Sequence, residues 1–152
     1  MPLAAPFQLG PFSVDQEGRL VPANPAAAPA AFRFRWHDRT VHARLAQADA
    51  SGGRLTLQVT LARIRSTAST PDETLRPRSF TLLRWVPTAV PQGWRVSLLA
   101  DHRVWLETDR RIDVPITAVG LITEVTRFGL ELAPILELMD QVGLTVSDFR
   151  VN

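Results

Sequence analysis

The sequence predicts an α+β fold, an antiparallel β-sheet or partly open barrel of about six to eight strands packed against a C-terminal amphipathic helix. Three observations predict it. Apolar and polar residues alternate through the middle of the chain, turn-forming clusters separate the alternating runs, and helical spacing of apolar residues is confined to the C-terminal third.

The 152 residues suit a single domain, with an N-terminal hairpin arm over 1–23, a proline and alanine connector over 24–31, an antiparallel β core over 32–108 and a helical region over 113–143. In the arm, residues 7–21 read as two short extended pieces around Asp15-Gln16-Glu17-Gly18, a turn cluster closed by glycine. Three prolines within 22–31 disfavour helix and leave an extended tether. From Phe32 the period is two: Phe32, Phe34 and Trp36 share one face, while Arg33 and Arg35 take the other. After a His37-Asp38 turn, Val41, Ala43 and Leu45 alternate with Thr40, His42 and Arg44. The cluster Asp49 to Gly53 then turns the chain into Leu55, Leu57, Val59 and Leu61.

Residues 65–79 carry two prolines and many small polar groups, which predicts a solvated loop long enough to serve a function. Residues 80–86 read as a strand. Trp94, Val96 and Leu98, an Ala100-Asp101-His102 turn, and Val104 and Leu106 read as a second hairpin. Leu99 and Trp105 lie on its opposite face, which predicts a hairpin covered on both sides, by the core and by a helix or partner subunit. These two residues are therefore candidates for an interaction surface, and a homodimer is expected. Asp113 offers an N-cap with Pro115 in the first turn of a helix. Val119, Ile122, Val125 and Phe128 recur at three-residue steps, joined by Leu121 and Leu132. Gly129 and Pro134 predict a kink or a split, with the second part running through Ile135, Leu138, Met139 and Val142 to a Gly143 cap.

Composition excludes more than it proposes. All 17 basic residues are arginine, and lysine, tyrosine and cysteine are absent. The pI of about 10.8 therefore reflects missing residue types, because the formal charge is only +2. A balanced chain with scattered arginines predicts no nucleic-acid partner. Without cysteine there is no disulfide, thiolate nucleophile or sulfur-based zinc site. Without lysine there is no Schiff base and no phosphate-loop or kinase lysine. No GxGxxG, GxSxG or HExxH pattern occurs. Met1 to Gly10 lacks a charged start and an apolar run, so the expectation is a soluble, cytoplasmic protein with no membrane partner.

What remains for chemistry is a histidine set, His37 and His42 with Asp38, and Asp101-His102 in the second hairpin turn. Catalysis would require a pocket gathering one of these histidines with a carboxylate. The sequence reading is instead a non-catalytic binding or protein-interaction module, with no cofactor and no metal. Its expected working surface is the sheet face together with the loop from Arg65 to Ser79.

Two resemblances refine this. Arg35-Trp36-His37-Asp38-Arg39 followed by Asp49-Ala50-Ser51-Gly52-Gly53 resembles the paired RxxxR and DxSxxG signature of PilZ-type receptors for cyclic di-guanylate, with Arg54 standing where the pattern has glycine. The resemblance implies ligand binding by Arg35, Arg39, Asp49 and Ser51: arginine forks take phosphate and guanine edges, and a small Asp-Ser-Gly corner admits the ligand to the backbone. The hairpin and helix of residues 94–142 resemble, in order and pattern, the secretion-chaperone-like family of small dimeric α+β proteins. That likeness implies polypeptide binding through sheet faces and dimer helices, and it carries no residue signature. Leu136 to Phe149 is similar to the turn of a helix-turn-helix, but a recognition helix starting at Ser147 would have only six residues, which argues against DNA reading.

Overall fold

Alternation along the chain becomes strand pairing in the computed structural model, which describes residues 5–24, 26, 29–46, 52–63 and 84–141. Among the described residues, eight strands form two open antiparallel sheets. The first has three strands in the order β1-β2-β3, from β1 (Phe7–Leu9), β2 (Phe12–Val14) and β3 (Leu20–Pro22). The second has five, in the order β4-β5-β6-β8-β7, from β4 (Ala30–Trp36), β5 (Arg39–Ala46), β6 (Gly53–Arg63), β7 (Arg95–Leu98) and β8 (Arg103–Ile112). Residues 84–89 belong to a helix, α1, and α2 (Ala118–Gln141) follows the last strand. No described helix is long and apolar enough to cross a membrane. The chain divides into two compact units, Met1–Leu57 with Asp109–Gly129, and Gln58–Thr108 with Leu130–Asn152.

In the first unit, the expected N-terminal hairpin gains a third strand. Asp15 sets its turn, because Oδ1 accepts the amides of Glu17 and Arg19, each at 2.9 Å, while Gly18 takes a φ of 79°. The Gly18 carbonyl in turn accepts the Ala118 amide at 2.9 Å, and the Leu20 amide donates to Ile116 at 2.8 Å. This turn thereby satisfies an amide at the start of α2 that has no partner inside the helix. Phe12, Val14, Val41, Ala43, Leu45, Leu55 and Phe128 are buried here, with the Phe12 ring edge-on to Phe32 at 5.8 Å. In the second unit, Val59, Leu61, Val86, Val104, Leu106, Leu132, Ile135 and Met139 are buried.

Several sequence expectations are corrected. Residues 84–89 are helical where a strand over 80–86 was expected, with the Val90 amide bonded to the Val86 carbonyl at 3.1 Å. Asp113 does not cap α2: the helix begins at Ala118, and Thr117 Oγ1 accepts the Gly120 amide at 3.0 Å. Neither Gly129 nor Pro134 splits it, because α2 runs unbroken for 24 residues. The three-residue stripe is displaced as well: Val119 and Ile122 are 75% and 54% exposed. Steps of three fall short of a full turn by about 60° each, so Val119 sits about 180° from Phe128. The buried apolar positions lie two turns apart in the first unit, Leu121 and Phe128, and step by three and four in the second, Leu132 to Ile135 and Leu136 to Met139. The loop over 65–79 and the Gly143 cap lie outside the described residues.

Candidate functional site

β4 and β5 are joined by the two-residue turn His37-Asp38, with His37 at a φ of 54°. Such a turn sets the register, which pairs Trp36 with Arg39, Arg35 with Thr40, Arg33 with His42 and Ala31 with Arg44. Directly paired residues share a face. The inner face therefore carries Phe32, Phe34 and Trp36 with Val41, Ala43 and Leu45, and the outer face carries Arg33, Arg35, His42 and Arg44, all exposed.

The outer face of this hairpin carries three arginines, Arg33, Arg35 and Arg44, beside His42, Ala31 and Thr40. Residues 30–46 hold four arginines and two histidines against one carboxylate, Asp38 at the turn. Among the described residues, Arg33, His42 and Arg44 make no hydrogen bond or ion pair, and Arg35 only reaches the Asp38 carbonyl at 3.5 Å. Polar groups on β6 and β8 are balanced instead. In the first unit Asp109 takes Arg54 at 2.6 Å and Thr56 at 2.7 Å. In the second, Glu107 takes Gln58 and Arg95. Arg110 is similarly matched, 3.6 Å from Glu124, which also holds Arg127 at 3.0 Å. Excess positive charge thus concentrates on β4 and β5, where guanidinium forks about 6.8 Å apart along one strand suit carboxylates or phosphates.

The structure does not bring the RxxxR arginines together. Arg35 stands on the outer face, and Arg39 is on the inner one, 3% exposed, opposite Trp36 and 4.0 Å from Asp38. Residues four apart across a two-residue turn differ by one in register, which sends their side chains to opposite faces. Asp49 and Ser51 lie outside the described residues. Leu99 stands half-buried at the β7–β8 turn, its amide donating to the Arg103 carbonyl at 2.8 Å. Trp105 is half-buried on the face of β8 opposite Val104 and Leu106, with the Arg103 guanidinium 5.6 Å from its ring centre.

The histidines are placed by the same rules. His37 is exposed in its turn, His42 is exposed in mid-strand, and His102 occupies the β7–β8 turn at a φ of 65°. Beside it, loss of hydration is the largest single influence on Asp101 and raises its pKa, but the Arg103 amide and guanidinium together outweigh it and hold the carboxyl below the ordinary aspartate value. Among the described residues, no three histidine, aspartate or glutamate side chains gather as metal ligands. Arg33 and Arg44 were not singled out from the sequence, although the alternation that exposes them is visible there. The missing signal was which of the other arginines the fold neutralises, such as Arg54 by Asp109 and Arg110 by Glu124. Comparison of the chain with known protein families and with curated proteins finds no match.

Proposed function

We propose that this chain is a non-catalytic binding module that takes an anionic partner on the outer face of β4 and β5. The supporting observation is the exposed set Arg33, Arg35, Arg44 and His42, with no carboxylate among them. Three guanidinium groups on one solvated face, with no carboxylate between them, attract an anion together. Labelled polyglutamate, followed by fluorescence anisotropy, tests the reading. Saturable binding that weakens with added salt is expected. The variant R33S/R35S/R44S should bind about tenfold more weakly or worse, about 1.4 kcal/mol, with its melting unchanged. Arg39→Ala serves as the contrast: loss of its buried stem should lower stability by about 1–2 kcal/mol. Failure of the parent to bind, or equal binding by the triple variant, would sink the proposal. Calorimetric heat with cyclic di-guanylate that disappears in Arg35→Ala would replace it with a nucleotide receptor.

Self-association is a second reading, favoured by Val114, Val119 and Ile122 in the first unit, which are 55%, 75% and 54% exposed. Light scattering should report a dimer for the parent and a monomer for Ile122→Asp. A monomeric parent at micromolar concentration removes this reading.

A further inference from the structure

Given an anionic partner on that face, we propose that it is an extended acidic polypeptide segment, added along the free edge of β4 as one more strand. β4 ends the strand order of its sheet, and no described strand pairs on its outer side. Among the described residues, its outward N–H and C=O groups therefore form an open ladder, the feature by which sheets accept a peptide strand. β4 is seven residues long and contains no proline, so that edge is not blocked from within.

The arginines select the sign of the added strand. Arg33 and Arg35 repeat every second residue, about 6.8 Å, and a strand laid beside β4 has the same rise. Acidic residues at alternate positions would meet each guanidinium in step. Arg44 and His42 of β5 extend the same cationic face one strand inward. A nucleic-acid strand could neutralise this charge but has no amide ladder to match the edge. A second copy of the chain could match the ladder but not the charge. Pairing β4 with itself about a two-fold axis brings outer face to outer face and sets Arg33 and Arg35 against the same arginines of the copy. Like charges across paired strands are destabilising. The residues that repel a copy are those that attract an acidic strand.

The probe is a seven-residue peptide alternating glutamate and valine, the length of β4. Two isomers accompany it, one N-methylated on every glutamate amide and the other on every valine amide. Successive amides of a strand point to opposite edges, so each isomer blocks one edge and leaves the charge intact. Addition to β4 predicts that one isomer loses about tenfold or more in affinity while the other binds like the parent peptide. R33E/R35E should exchange this preference for a peptide alternating lysine and valine. If both isomers bind like the parent, or both fail, edge addition is wrong and the anionic-face reading stands. Edge addition is equally wrong if polyglutamate binds and the parent peptide does not. Tighter binding of a single-stranded oligonucleotide than of any peptide also overturns edge addition. If neither polyglutamate nor the peptide binds, the underlying reading itself falls.

Discussion

Gly129→Ala is expected to destabilise the protein by about 2 kcal/mol, the reverse of what the same change does in an ordinary helix. In an exposed helix interior, alanine is favoured over glycine by about 0.8–1 kcal/mol. Here a Cβ would lie 2.5 Å from Trp36 Cδ2 and closer still to Cε2 and Cζ2, in the rigid body of the indole. Gly129 is buried and lies in mid-helix, so neither a cap nor a turn accounts for it. It is the seat of the Trp36 ring, and the ring has to move if that seat gains a methyl group. Urea denaturation of G129A, W36L and the double variant checks this. With the indole removed, alanine should regain its helical advantage, giving a coupling of about 2–3 kcal/mol between the two positions. Additive effects, or stabilisation by G129A alone, would show that the ring does not press on the helix.

Phe128→Ala should cost about 3–5 kcal/mol and lower the urea midpoint in proportion, whereas Leu130→Ala should stay within about 0.5 kcal/mol. Both are large apolar residues of α2. Phe128 is fully buried, with the Arg110 guanidinium 5.9 Å from its ring centre, and Leu130 is 65% exposed. Truncating the phenyl ring removes buried surface and leaves a cavity beside a charged group that also pairs with Glu124. Equal effects at the two sites would mean that the buried stripe of α2 has been assigned to the wrong face.

The elements that the sequence misplaced have separate physical causes. Arg84-Trp85-Val86 suits a strand by local composition, yet such short segments take the state their tertiary setting favours, and this one is helical with Val86 buried. Asp113 and Thr117 are both acceptable caps. The choice falls on Thr117 because Gly18 and Leu20, about a hundred residues earlier in the chain, bond to Ala118 and Ile116 and anchor the helix start there. Three-residue steps from Val119 to Phe128 look amphipathic in a short window, but their drift around the helix carries the first of them to solvent. Pro134 lies inside an unbroken helix. By contrast, the alternation in β4, β5, β6 and the first part of β8 was legible, because a period of two depends only on neighbouring residues, whereas β8 continues to Ile112, beyond the strand read to Leu106.

For the candidate site, the sequence by itself determined which side chains share a face. Arg33 with Arg35, and His42 with Arg44, follow from strand parity, and the two-residue turn between the strands already implies that Arg35 and Arg39 part company. Only the tertiary structure decided which arginines are already neutralised. Arg54 meets Asp109 across 55 positions of sequence, and Arg110 meets Glu124 on a different element. Nothing of comparable kind reaches Arg33 or Arg44 among the described residues. Side-chain direction is set by local backbone geometry, but charge balance is set by whatever distant residue the fold places opposite, and that is why the surplus on β4 and β5 emerges only once the strands are paired.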